Sequence, residues 1–385
     1  MTKQIINAKI VTPDGVIEGG VLRFTDGIID YVGSEAAEIA DTVSADGAYL
    51  LPGFIDIHCH GGGGYDFMDA SAEEMRKIAR FHLSHGTTTL VATTMTDTYA
   101  AIEAALDRFA ELGDDRITLH GVHLEGPWLS PAACGAQPIE KMSEPSAAEL
   151  DRLKSRYPFI ERVGVAPELD EGFAVARRAA ELGVLVAVAH TDADFDTTVA
   201  AADNGYTLMT HLYSGMNGVV RKNAYRIAGA VEAGLYDDRL IAEVIADGKH
   251  LPAALLKLIM KCKGPDRICL ITDAIRGAGL PEGQELILGR LDDGVRCIIE
   301  DGVAKLPDRT AFAGSVATTD RLLRTMVLEA GANIVDAARM ISTTPARVMG
   351  YTDRGELTLG KRADVVIMDE KLKIKKVILG GSYET

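Results

Sequence analysis

Five short apolar runs in the chain each end on a residue that can bind a metal or move a proton. Phe54-Ile55-Asp56-Ile57 leads into His58-Cys59-His60, and Val122-His123-Leu124 leads into Glu125. The runs 185–189, 207–210 and 269–272 lead into His190, His211 and Asp273. Strands that deliver polar side chains one after another from their C-terminal ends describe a barrel with its site on the top face. The residue types are those of a hydrolytic metal centre.

The rest of the chain fits that frame. Strand candidates fall at 54–58, 87–94, 117–124, 160–166, 185–190, 207–211, 241–245 and 268–272. Helical segments lie between them at 72–85, 99–112, 147–156, 171–182, 195–204 and 252–263. The first carries Met75, Ile78, Ala79 and His82 on one face, the spacing of an amphipathic helix. Gly86, Gly113, Gly183 and Gly205 stand where helices stop. Eight strand-then-helix units predict a (β/α)8 TIM barrel over 53–350 rather than an open sheet. The stretch 287–305 reads as a β-hairpin turning at Asp292-Asp293-Gly294, and the helix 318–330 then closes the ring.

The two ends have another character. Short β-type runs at 4–11, 20–25 and 28–32 are split by Pro13-Asp14-Gly15 and Asp26-Gly27, and runs at 355–360, 363–368 and 375–379 repeat the style. Turn residues between short strands predict antiparallel sheet. The ends are therefore expected to meet as a small β-sandwich domain of residues 1–52 plus 351–385.

A net charge of −16 repels nucleic acid and anionic membrane, so neither is expected as a partner. It also means that an anionic substrate needs a local cluster of Lys and Arg. No apolar stretch approaches the ~20 residues of a membrane span, and the first residues carry no signal-peptide core, which points to the cytoplasm. The five cysteines, Cys59, Cys134, Cys262, Cys269 and Cys297, are odd in number and form no CxxC pair. That excludes a disulfide framework and a zinc-thiolate site. Strand alternation points Cys59 away from its neighbouring histidines.

His58 and His60, two apart on a strand, face one side and can reach one ion, with Gly61-Gly62-Gly63-Gly64 letting backbone approach closely. Glu125, before Gly126-Pro127, can bind one metal or bridge two; a helix-capping acid is the alternative. With His190 and His211 it makes three N/O ligands and leaves a fourth position open, as catalytic zinc requires. Asp273 is the candidate general base and acid; its alternative role is to orient a ligand histidine. His82 and His85, on a surface helix, receive no role. His120 and His123 lie within strand three and support ligand orientation. His250, after Ala246-Asp247-Gly248-Lys249, faces the top rim as a substrate contact.

This constellation resembles the amidohydrolase superfamily, and within it the N-acetylglucosamine-6-phosphate deacetylases. The resemblance is carried by Leu51-Pro52-Gly53-Phe54-Ile55-Asp56-Ile57-His58-Cys59-His60-Gly61, His123-Leu124-Glu125-Gly126-Pro127, Ala189-His190-Thr191, Thr210-His211-Leu212-Tyr213, Ala246-Asp247-Gly248-Lys249-His250, Thr272-Asp273-Ala274 and Ala313-Gly314-Ser315, and it covers nearly the whole chain. It implies that Glu125, His190 and His211 hold a principal metal. His58 and His60 would hold a second metal, with Glu125 bridging. Asp273 would activate the attacking water and protonate the leaving amine. A divalent ion is implied, zinc first, with iron or manganese also accepted by such ligands. One or two ions per subunit and a homodimer follow from the same resemblance.

The departures fall on substrate recognition. Where the family usually has a carbonyl-polarising histidine, this chain has Gln137, which can donate a hydrogen bond but cannot be cationic. Ser214-Gly215 stands for a phosphate-binding Asn-Ala pair. Arg221-Lys222-Asn223-Ala224 replaces Arg-Glu-Pro-Gly, so Arg221, Lys222 and Arg226 are the remaining candidates for phosphate contact. Arg276 is an extra charge near the rim. The expected activity is removal of acetyl from an N-acetylated amino-sugar 6-phosphate. The alternatives are another N-acyl amino sugar or amide, and a non-catalytic metal-bound barrel.

Overall fold

The computed structural model describes residues 1–384. Eight parallel strands form one sheet: β1 Phe54–Cys59, β2 Thr87–Thr94, β3 Leu119–Glu125, β4 Ile160–Val165, β5 Leu185–Val188, β6 Tyr206–Met209, β7 Ile241–Val244 and β8 Ile268–Leu270. They are paired in sequence order. The ring is completed between β1 and β8. Asp273 N–H donates to His58 O at 2.9 Å, and His60 N–H donates to Ala274 O at 2.8 Å. The Thr272 hydroxyl donates to the Asp56 carboxylate at 2.5 Å. β2, Thr-Thr-Thr-Leu-Val-Ala-Thr-Thr, is buried along its whole length, as a parallel strand covered on both faces must be.

Helices pack outside the strands, and their ends are written locally. Ala72–Ser84 starts on Ser71, whose hydroxyl accepts from Glu74 N–H while the Glu74 carboxylate accepts from Ser71 N–H. Ala72–Ser84 buries Met75, Ile78, Ala79, His82 and Leu83. Inside the ring, Ile55, Ile57, Val91, Ala187, Leu208, Ile241, Ile245, Cys269 and Ile271 form a separate apolar cluster that includes Ala346 of the helix Thr344–Val348. The barrel is thus filled with branched side chains and is not a pore.

Both termini build a second eight-stranded sheet from Thr2–Thr12, Gly15–Thr25, Ile28–Gly33, Thr42–Ser44, Tyr49–Pro52, Val365–Met368, Ile374–Leu379 and Ser382–Tyr383. Tyr49–Pro52 pairs antiparallel with Val365–Met368 and so joins the two ends. Ile5, Ile10, Leu22, Phe24, Leu50, Val365 and Ile378 share one apolar cluster.

Some local expectations are corrected. Residues 355–360 are not a strand: Gly355 and Gly360 have φ of 90° and 82°, and the loop drops Leu357 into the terminal core. The insert after β8 has three strands rather than two, Glu285–Leu288, Val295–Glu300 and Val303–Lys305. The helix Ala230–Tyr236 and the exposed hairpin Val220–Lys222/Tyr225–Ile227 follow β6 without a clear periodic signal in the sequence. His82 is fully buried rather than on the surface. Its Nε2 lies 2.9 Å from Gly61 O and 3.3 Å from Cys59 Sγ, and burial lowers its pKa to about 4.

Candidate active site

The strand ends deliver their side chains to one place. His58 Nε2 lies 3.6 Å from Glu125 Oε1, and His60 Nε2 lies 3.0 Å from Glu125 Oε2. On the other side of the same carboxylate, His190 Nε2 and His211 Nε2 stand 3.4 and 2.9 Å from Oε1. Two groups of donors result, His58 with His60 and Glu125, and Glu125 with His190 and His211. Glu125 belongs to both. Asp273 Oδ1 sits 3.3 Å from His60 Nε2 and 3.5 Å from His58 Nε2.

The imidazoles are oriented from behind. His190 Nδ1 faces Ala133 O at 2.9 Å, and His211 Nδ1 faces Ser214 O at 3.1 Å. A carbonyl can only accept, so each Nδ1 carries the proton and each Nε2 keeps a lone pair for the centre. That is the tautomer a metal ligand needs, and the mixed N/O donor set suits a divalent ion. His190, His211 and Asp273 have φ of 41°, 28° and 47°. Left-handed backbone costs non-glycine residues about 1–3 kcal/mol each and persists where its surroundings hold it. Here it turns each side chain from the strand end into the centre.

Charge is concentrated. Burial opposes protonation of His58, but Glu125, Glu243 and Asp273 raise its pKa to about 9. Burial opposes ionisation of Glu125 and Asp273, yet the surrounding histidines hold both below the usual carboxylate range. Asp273 is therefore ionised at neutral pH and able to take a proton. The carboxylates demand positive charge, from protons or from metal.

An open cleft stands above these residues, a concave surface with a few convergent polar groups of the kind small molecules occupy. Gln137, Ser214, Gly215 and His250 line it, together with Ile275, Leu288 and Phe312. Gln137 is fixed: Thr96 N–H donates to its Oε1 at 3.0 Å, and its Nε2 donates to Glu125 Oε2 at 2.8 Å. His250 Nδ1 lies 2.8 Å from Asp247 Oδ2, and its ring packs at a tilt against Phe312 with centroids 4.6 Å apart. A Cβ on Gly215 would lie 2.6 Å from His190 Nδ1, so the glycine lets the loop close onto the ligand ring.

Three predicted contacts lie elsewhere. Arg221 and Lys222 are exposed on the hairpin after β6. Arg276 is buried behind the site, 2.9 Å from Asp69, and bonds Gly289 O. It ties the loop after His60 to the inserted sheet and does not line the cleft. His120 is remote, paired with Glu161 at 2.7 Å, whereas the His123 ring packs 4.9 Å from that of His58. Sequence reasoning missed Arg162 and Glu243, both fully buried near His58. A charge inside a barrel strand was the available signal. No helix among the described residues is long and apolar enough to cross a membrane.

The chain resembles known proteins in sequence and in fold. An N-acetylgalactosamine-6-phosphate deacetylase of Escherichia coli O157:H7 is 33% identical over 99% of each chain. An N-acetylglucosamine-6-phosphate deacetylase of Bacillus subtilis is 34% identical over 97% of this chain and 94% of its own length. Among solved structures, a mutant N-acetyl-D-glucosamine-6-phosphate deacetylase from Mycobacterium smegmatis in complex with N-acetyl-D-glucosamine-6-phosphate superposes with a TM-score of 0.91 at 31% identity, covering 99% of both chains. Residues 49–383 match the amidohydrolase family, whose members are metal dependent. The strand-end carboxylate and imidazoles, the nearly closed barrel and the full-length match together identify the chain as a member of the amidohydrolase family, hydrolases of amide bonds.

Proposed function

We propose that the protein is a metal-dependent deacetylase of an N-acetylated amino-sugar 6-phosphate, with zinc as the ion and a homodimer as the working form. The observation that carries the reading is the convergence of both donor groups and Asp273 on one cleft. Glu125, His190 and His211 would hold the principal ion, and His58 and His60, sharing Glu125, a second. An ion held there lowers the pKa of water towards about 7 and polarises an amide carbonyl. Asp273 takes the proton of the attacking water and returns it to the departing amine. Gln137, its oxygen engaged by Thr96 N–H and one amide N–H by Glu125 Oε2, has its second N–H left to donate to the acyl oxygen. His250 and the Ser214-Gly215 turn contact the sugar.

The homodimer is supported by the exposed Val219, Val220 and Tyr225 beside Arg221 and Lys222. A second copy packed there covers apolar surface and brings cations towards a cleft that has none of its own. The same lack of Lys and Arg in the cleft wall favours a second reading, a neutral N-acyl amine as substrate. Acetate release from N-acetylglucosamine 6-phosphate, N-acetylgalactosamine 6-phosphate and the unphosphorylated sugars decides between them. The first reading expects kcat/KM about ten- to a hundredfold higher with the phosphate, the worth of one charged hydrogen bond. Equal or better turnover of a neutral substrate sinks it.

A further inference from the structure

Arg162 and Glu243 are a charged pair that no part of the proposed chemistry uses, and both are wholly buried inside the barrel. Their strands explain how they get there. On β7, Ala242 and Val244 join the large core cluster outside the ring, while Ile241 and Ile245 belong to the cluster inside it. Alternation therefore turns Glu243 inward. On β4, Val163 and Val165 join the outer cluster, and Arg162 turns inward likewise. The two side chains meet across the lumen as an ion pair between Arg162 Nη2 and Glu243 Oε1.

Such a pair is a poor way to fill a barrel. Desolvation of two ions is costly, and apolar residues of similar volume commonly serve stability as well or better. The reason for keeping it lies in what it touches. The second oxygen of Glu243, Oε2, lies 3.4 Å from His58 Nδ1. Arg162 Nη1 donates to Ile57 O at 3.0 Å, one residue before His58. The Arg162 carbonyl lies 3.4 Å from Nδ1 of His123, whose ring packs edge-on against that of His58. His190 and His211 lean on loop carbonyls, whereas His58, deeper in the barrel, leans on a carboxylate. His60 Nδ1 has no hydrogen-bond partner, so the orientation of the His58/His60 pair rests on His58.

We propose that the buried Arg162–Glu243 pair is the positioning device of the second metal site. Arg162 anchors Glu243, Glu243 holds the proton on His58 Nδ1, and His58 Nε2 is thereby left free and aimed at Glu125. Metal-bound histidines commonly depend on such a carboxylate partner, whose loss weakens metal binding. The proposal rests on the two-ion reading given above.

The test is titration of chelator-stripped full-length protein with zinc, followed by calorimetry. The wild type should take up two ions. The charge-neutral double variant Arg162→Met with Glu243→Leu should bind the first as before and the second about 10–100-fold more weakly, with its unfolding temperature kept or raised. Unchanged affinity for both ions overturns the proposal, and so does equal weakening of both, which would mark the pair as general scaffold. Should the double variant fail to fold, Glu243→Gln carries the test, because its amide oxygen can still accept from His58. The second ion should then be lost only in part, and an unaltered second affinity is again fatal. A wild type that binds one ion overturns the two-ion reading, and this proposal with it.

Discussion

The two halves of the cleft are held in different ways. In the metal half every donor sits at a strand end, and His190, His211 and His58 each have the far ring nitrogen facing a protein oxygen. In the half proposed to receive the sugar the wall comes from the segments that follow β3, β6 and β8, which bring in Gln137, Ser214 with Gly215, and Leu288 with Phe312. The first half is positioned by the hydrogen-bonded sheet, the second by whatever the connections carry. A barrel can therefore change its substrate without disturbing its chemistry. The departures from the deacetylase pattern, Gln137, Ser214-Gly215, Arg221-Lys222-Asn223-Ala224 and Arg276, all lie outside the strand-end set.

The largest effect that would sharpen this division comes from Asp273→Asn. It should lower kcat by about 10²–10⁴-fold, the usual worth of a general acid–base, with metal content unchanged. A loss of metal instead would make Asp273 a ligand rather than a proton carrier. Gln137→Ala comes next, because Gln137 joins the halves through Glu125. It should cost about 10–100-fold in activity or metal affinity. A change confined to KM would place it wholly in the sugar half.

A third expectation concerns pH. In the metal-free protein the pKa of His58 stands at about 9 against an ordinary 6.5. A raised folded value means that protonated His58 stabilises the fold fully below pH ~6.5 and that this contribution is lost as pH rises through ~9. Thermal unfolding of stripped protein should show that decline, and zinc affinity should rise across the same interval as protons stop competing. A flat profile, or one unaltered in His58→Gln, contradicts it. The smallest catalytic effect belongs to Arg276→Ala. It should destabilise by about 1–3 kcal/mol through loss of its buried hydrogen bonds and leave kcat/KM within about threefold. A large rise in KM with unchanged stability would return Arg276 to the substrate.

Much of this was legible in the chain. Strands buried on both faces rarely carry ionisable side chains, so a histidine or acid at the end of such a run stands out, and His58, His60, Glu125, His190, His211 and Asp273 all did. Arg162 and Glu243 gave a different signal, a charge inside a strand, yet no local rule says that side chains on β4 and β7 meet in a lumen. His82 was misplaced for a related reason. A histidine on a helix face suits water or core equally, and only the approach of Gly61 and Cys59 settled its burial.

What the sequence by itself determined is the periodicity that yields eight strand–helix units, the strand-end residues, and hence the reaction class. Those depend on short-range pattern, in which each residue carries its own burial and side. Tertiary structure alone decided which strand ends share a carboxylate, that Arg276 faces away from the cleft while Gln137 faces in, and that a buried ion pair stands behind His58. These are contacts between residues far apart in the chain, fixed by barrel closure and loop packing.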